Sequence, residues 1–284
     1  MQQNTGLVLE GGGMRGVYTA GVLEFFMDKN LFFPYVIGVS AGACNAASYL
    51  ARQKERNKRV NIGYIGHPQY LSYKNLLRKR QLFDMDFIFN EIPTKHVPFD
   101  FDTYLTSPER FVIGTTDVET GEPLYFEKGG TQEEAMTMLR ASSSLPFIAP
   151  VVELNGKKLL DGGISNPIPV KKAQQDGNEK LVLILTRNLG YMKTKSRFGW
   201  IVQKSYKQYP KLVEKMLSRY EIYNETLQYI EQQEKEGNIF IIRPTELLQV
   251  GRMEKNAHKL AALYEQGYKD VDRVYGELME FLEK

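Results

Sequence analysis

The stretch Val36-Ile37-Gly38-Val39-Ser40-Ala41-Gly42-Ala43 constrains this chain more than any other. An apolar run enters the pattern G-x-S-x-G and leaves it as small, helix-compatible residues. That reads as a strand, a sharp turn and a helix start. Gly38 and Gly42 flank Ser40 because side chains there would collide with neighbouring backbone. The helix predicted from about Ala43 to Arg52 points its N-terminal amides at the serine, and the partial positive charge of that end favours an oxyanion. Ser40 is therefore a candidate nucleophile. The same pentapeptide also fits an ordinary strand–helix turn with an incidental serine, so the rest of the chain must decide.

Upstream, Gly6-Leu7-Val8-Leu9 reads as a short buried strand, followed by Gly11-Gly12-Gly13-Met14-Arg15-Gly16 and a helical pattern from Val17 to Asn30. With the strand from Phe33 to Val39 this forms a β–loop–α–β unit, the building block of a parallel sheet with helices on its faces. The glycine loop has two readings. Gly11-x-Gly13-x-x-Gly16 matches a dinucleotide fingerprint, but the acidic residue expected at the end of the second strand is replaced by Gly38-Val39-Ser40, and Asp28 lies inside the first helix. Alternatively, three consecutive glycines let bare N–H groups converge as an oxyanion hole beside Ser40. Arg15 would add positive potential or bind an anionic head group; its plainer reading is a surface arginine at a helix start.

Residues 64–106 mix aromatics with basic residues, including Arg78-Lys79-Arg80, and predict short helices and loops that form either a lid or substrate wall or a core-covering insertion. His67 and His96 in this region read as structural. Strands are predicted at Arg110–Asp117 and Pro123–Glu127, a helix at Thr131–Arg140, and a hairpin around Asn155-Gly156. Its second strand ends in Asp161-Gly162-Gly163, which leaves a carboxylate at a strand terminus where the backbone can approach another element. Lys180–Thr186 reads as a central buried strand, Leu212–Glu236 as a helix, Ile239–Arg243 as a strand ended by Pro244, and Met253–Lys284 as one or two terminal helices.

The 284 residues, 42% apolar and 25% charged, suit a globular chain with a sizeable core. No internal repeat or low-complexity linker divides it, so a single domain over 1–284 is expected, with the motifs in about 6–186 and residues 187–284 completing the sheet and helices. No run approaches the ~18 apolar residues of a membrane span. The start Met1-Gln2-Gln3-Asn4-Thr5 shows no secretory signal, and the single cysteine, Cys44, forms no internal disulfide; a cytoplasmic protein that meets membranes peripherally is expected. Charge is uneven: residues 187–219 carry nine Lys/Arg and one acid, whereas 221–284 carry eight and thirteen. The basic stretch, with Tyr191, Phe198, Trp200, Tyr206 and Tyr209, suits docking on an anionic bilayer, or else a solvated loop and helix face. No nucleic-acid motif accompanies it.

With Gly11 to Gly16, Gly38 to Gly42, the Ala-Ser-x-Ser-x-Pro segment at 141–146 and Asp161-Gly162-Gly163 in that order, the chain resembles the patatin-like phospholipase family, and the bacterial members most. The resemblance covers about residues 6–186. It implies a three-layer α/β/α fold with a mainly parallel sheet and hydrolysis of a lipid acyl ester through an acyl-enzyme. It further implies Ser40 as nucleophile, Asp161 as base, the Gly11-Gly12-Gly13 amides with Arg15 nearby as oxyanion hole, and neither metal nor cofactor. A rival Ser–acid–His layout would need His258, which falls in a charged helical segment. A lipid-binding protein with weak or no activity on the same scaffold is the alternative from another class, and a dinucleotide-binding protein the third.

Overall fold

The structure is a computed structural model and describes residues 4–72, 75, 81–247 and 249–284. The run Arg78-Lys79-Arg80 lies outside the described residues. Eight strands build one sheet: β1 Thr5–Leu9, β2 Tyr35–Val39, β3 Arg110–Asp117, β4 Pro123–Glu127, β5 Val152–Leu154, β6 Lys157–Asp161, β7 Lys180–Ile184 and β8 Ile239–Ile242. Their order is β5-β6-β3-β2-β1-β7-β8, with β4 paired to β3. The run from β3 to β8 is parallel throughout, and β4, β5 and β6 add antiparallel pairings.

Alternation along the strands creates two cores. Leu7 and Leu9 enter one apolar cluster and Val8 the other; Val182 and Ile184 follow the first, Leu181 and Leu183 the second. A strand that is apolar on both faces must be covered on both. Helices α1 (Val17–Asp28) and α2 (Ala41–Leu50) and the C-terminal helix Ala257–Glu283 cover the first face. Val170–Gln175 and the long helix Pro210–Lys235 cover the second. The result is the expected three-layer α/β/α arrangement around a mainly parallel sheet. Residues 209–283 share this core, since β8 pairs with β7 and Leu260, Leu263 and Val271 pack into the same cluster as α1.

Several boundaries differ from the sequence expectation for local reasons. β7 ends at Ile184 rather than Thr186, because Thr186 turns to the buried carboxylate of Glu10. The terminal helix starts at Ala257, not Met253: the Asn256 side chain accepts from the Lys259 N–H at 3.1 Å and caps it there. The region 64–106 contains a wide, π-type helix, Phe87–His96, that carries Pro93 inside it. Proline removes a donor from the regular α ladder, and the wider turn accommodates the gap.

Candidate active site

The parallel strands diverge at β1, with β2 and β3 on one side and β7 and β8 on the other. In open α/β sheets, ligands bind at the carboxyl ends of the strands where the order switches in this way. The glycine loop after β1 and the elbow after β2 both lie there.

Ser40 follows β2 directly and adopts φ 55° and ψ −126°. Such a conformation costs a non-glycine residue about 1–3 kcal/mol and persists only where the surroundings hold it. Here the holder is Ser142. The Ser40 N–H donates to Ser142 Oγ at 2.8 Å, and that hydroxyl donates to the Gly114 carbonyl at 2.7 Å. Helix α2 starts immediately, with the Cys44 N–H donating to the Ser40 carbonyl at 3.1 Å. The turn leaves no room beside it. A Cβ on Gly42 would lie 2.6 Å from the Leu9 carbonyl oxygen, and one on Gly38 would lie 2.8 Å from the Ala43 nitrogen.

Strand register explains how Asp161 reaches this point. Gly114 on β3 pairs with Val39, and the next residue, Thr115, pairs with Asp161. Strand β6 therefore takes up pairing with β3 where β2 leaves it, and its last residue arrives beside the elbow. The Asp161 N–H donates to the Ser144 carbonyl at 2.8 Å, so the segment 142–144 holds both Ser40 and Asp161. Asp161 Oδ1 accepts from the Gly163 N–H at 2.7 Å. Its Oδ2 is buried and makes no hydrogen bond among the described residues. Burial raises the carboxyl pKa above the usual range; the Ser40 hydroxyl is the strongest opposing influence, followed by the Arg219 guanidinium. The hydroxyl is thus a near neighbour of the carboxylate without meeting hydrogen-bond geometry, a looseness common in sites without substrate.

The three glycines of the first loop differ in what they offer. Gly11 packs against the elbow, where a Cβ would lie 3.2 Å from that of Ser40, but its N–H donates to the Pro167 carbonyl at 3.4 Å. Gly13 has φ 58°, and a Cβ there would lie 2.7 Å from the Arg252 carbonyl oxygen. The amides of Gly12 and Gly13 have no acceptor among the described residues. Gly13 also lines the same cavity as Ser40. Arg15 is buried, with Nε unpartnered among the described residues, and is near Arg187, Arg252, Glu10 and Tyr223 rather than lining that cavity. Burial, then the neighbouring Arg187 and Arg252, push its pKa down to about 10.

The cavity beside Ser40 measures about 140 Å³ and is walled by apolar side chains, among them Tyr70, Phe83, Phe89 and Ile92 from the 60–99 region. These residues thus form a wall of the site as well as covering the core. Cys44 also faces the cavity; burial raises its thiol pKa to about 11, which keeps it protonated and unreactive near neutrality. The His67 ring stacks on Phe87 at 4.5 Å, with His96 tilted 5.5 Å from the same ring, while His258 is exposed on the terminal helix. No histidine among the described residues hydrogen-bonds Asp161. Asp28 lies at the far end of α1, roughly 18 Å along the helix axis from the glycine loop, and is engaged by Lys54 at 2.7 Å and Tyr268 at 2.9 Å.

The sequence reading missed Glu10 and a group of cations. Glu10 is buried at the end of β1 and accepts from the Thr186 N–H at 2.5 Å, the Thr186 hydroxyl at 3.0 Å and the Tyr223 hydroxyl at 2.8 Å, tying β1, β7 and the long helix together. Arg219 donates from Nε to the Gly163 carbonyl, next to Asp161. The only sequence signal for Arg219 was the excess of positive charge in 187–219, and Glu10 gave none.

The profile of the patatin-like phospholipase family matches residues 7–173, and that of a domain of unknown function (DUF6363) matches 209–283. An uncharacterised protein, YjjU, of Escherichia coli K12 is 35% identical over 185 residues, covering 63% of this chain and 51% of its own. A probable lipid hydrolase, 463L, of invertebrate iridescent virus 6 is 25% identical over 198 residues, 61% of this chain and 64% of that one. The lysophospholipase NTE1 of Candida albicans is 25% identical over 202 residues, which are 63% of this chain but 13% of the yeast protein. The match thus spans from about an eighth to under two thirds of each relative. In structure, VipD of Legionella pneumophila superposes with a TM-score of 0.51 at 11% identity over 97% of this chain and 67% of VipD, a likeness of fold. With more than half its residues inside the family profile, the chain belongs to the patatin-like phospholipase family.

Proposed function

We propose that the protein hydrolyses lipid acyl esters, as a phospholipase A, lysophospholipase or related esterase, through a Ser40–Asp161 dyad. The observation that carries this reading is the register of β3, which sets a buried carboxylate beside a serine on a strained strand–helix turn. Ser40 Oγ attacks the ester carbonyl carbon while Asp161 Oδ2 takes the hydroxyl proton. The amides of Gly12 and Gly13 and the N-terminal end of α2 stabilise the oxyanion. Gly11 contributes by letting the loop approach the serine, and Arg15 by positive potential from behind the loop. Asp161 then returns the proton to the departing alcohol, and water cleaves the acyl-enzyme with the same base. The apolar cavity receives the acyl chain; each buried methylene contributes ~0.8 kcal/mol.

The raised pKa of Asp161 makes it a better proton acceptor than a free carboxylate. The whole chain acts as one domain in this reading, with 187–284 supplying the side of the site opposite the acyl cavity.

No helix among the described residues is long and apolar enough to cross a membrane. The basic stretch 187–219 is the proposed peripheral contact with anionic bilayers, because Leu189, Met192, Phe198 and Trp200 are exposed there beside the lysines. Trp200 is the sole tryptophan, so a blue shift of emission on vesicles containing phosphatidylglycerol, reversed by salt, reads this contact directly.

Lipid profiling tests the activity. Wild-type protein is expected to release fatty acid from one or more phospholipids or lysophospholipids, and Ser40→Ala to release none. Binding of these lipids without release by wild type would instead favour a lipid-binding protein on the same scaffold.

A further inference from the structure

Behind the glycine loop and Asp161, five cations converge: Arg15, Arg187, Lys193, Arg219 and Arg252. They come from four separate segments, and each is near enough to others of the group to alter their ionisation. Among the described residues none of the five forms an ion pair. Among the described residues the carboxylates that act on Arg15 and Arg219 are Glu10 and Asp161, and Glu10 is already occupied by Thr186 and Tyr223. Arg15 is buried and the other four are half-buried, and gathering like charges with so little water between them is costly unless an anion completes the group.

Three of the five line a second pocket. Lys193, Arg219 and Arg252 face it together with Leu145, Pro146, Phe147, Ile164 and Met253. Leu145 also lines the acyl cavity, so the two pockets meet at that residue. The cationic pocket lies on the Asp161–Gly163 side of the serine, where Arg219 holds the Gly163 carbonyl. Its rim carries the exposed side chains of Phe147 and Met253.

We infer that Lys193, Arg219 and Arg252 form a subsite for the phosphate of the substrate's head group, which selects phospholipids or lysophospholipids over neutral esters and, because the surrounding cations repel a head-group ammonium, anionic over zwitterionic ones. The inference rests on the hydrolase reading for its placement: with the acyl chain in the apolar cavity, the alcohol side of the ester points to the cationic pocket. Guanidinium forks match phosphate oxygens in geometry and charge. Lys193 adds a pH signature. Burial and the facing Arg219, Arg252, Arg15 and Arg187 push its pKa down to about 7, and its ammonium also lies 5.5 Å over the Tyr223 ring. An arriving phosphate restores the proton, so binding takes up a proton above pH 7 and weakens as pH rises.

The test uses the full chain and calorimetric titration with monododecyl phosphate, 1-O-dodecylglycerol as its neutral counterpart, and inorganic phosphate. Wild type is expected to bind monododecyl phosphate at least tenfold more tightly than either control at pH 7, with proton uptake at pH 8. Lys193→Ala and Arg252→Gln are each expected to lower that preference at least fivefold, and Lys193→Ala to abolish the uptake. Equal affinity for the phosphate and the neutral amphiphile would overturn the subsite. Inorganic phosphate binding as tightly as the amphiphile would overturn its assignment to a lipid. Retained preference in both variants would remove these residues from it. A failure of the hydrolase reading looks different: selective binding of monododecyl phosphate with no ester of any lipid cleaved.

Discussion

Ser142→Ala removes a hydroxyl that touches neither Asp161 nor the acyl cavity, yet two buried backbone groups depend on it. The Ser40 N–H loses its acceptor and the Gly114 carbonyl loses a donor. Each buried polar group left unpaired costs about 1–3 kcal/mol, and the elbow strain of similar size loses its counterweight. Part of this is relieved if the elbow relaxes, so a net loss of about 1–3 kcal/mol is expected. For a domain of this size that is a fall in Tm of several degrees, at ~2–4 °C per kcal/mol. The relaxation that limits the stability loss moves Ser40 Oγ, and a displacement of about 1 Å costs on the order of 100-fold in turnover. Thermal unfolding and steady-state hydrolysis of a short acyl ester read both effects. The expected pattern is a lower Tm and a kcat reduced about 10- to 100-fold with KM little changed, because the apolar wall is intact. A Tm within about 1 °C of wild type together with unchanged kcat would refute the claim that Ser142 holds the elbow.

Asp161→Asn is expected to lower kcat about 100- to 10,000-fold, the range of general-base contributions. The same change stabilises the protein at neutral pH. The folded-state pKa of Asp161 lies above its unfolded value, so its contribution to stability is present below the unfolded pKa and lost as pH rises through the folded one. The Tm advantage of the asparagine variant should therefore appear near pH 7 and shrink as the solution is acidified; an equal advantage at all pH values would show that another effect is responsible. His258→Ala, an exposed change far from any described contact with Asp161, is expected to alter kcat/KM by no more than about twofold, as for surface substitutions generally. A large loss would revive the Ser–acid–His layout.

Much of the candidate site was legible because its residues are bound to local backbone demands. A serine at positive φ between glycines that touch Leu9 and Ala43 leaves a five-residue trace, and Asp161 carries two glycines after it. Each can be found without knowing what lies opposite. The segment at 141–146 was visible as a motif, though not the role of Ser142 under the elbow; Glu10, Lys193, Arg219 and Arg252 leave no such trace. A buried glutamate and three cations in separate segments become a unit only when β7, the long helix and the 250–253 segment pack together, and the Ser142 hydroxyl finds its partners only once β2 and β3 pair. The excess charge of 187–219 was visible in sequence, but its division into a solvent face and an inward-facing group was not. The helix Phe87–His96 resisted prediction for a different reason: Pro93 argues against a regular helix, and a wider turn that tolerates it has no distinct residue pattern.

The proposed chemistry turns on one oxygen atom. Treating the protein with an alkyl fluorophosphonate, then measuring intact mass and mapping the modified peptide, reports whether the Ser40 hydroxyl is activated. A single adduct on Ser40 is expected, absent in Ser40→Ala and formed far more slowly in Asp161→Asn. An unmodified wild-type protein, or an adduct that forms equally fast without the Asp161 carboxylate, would contradict that chemistry.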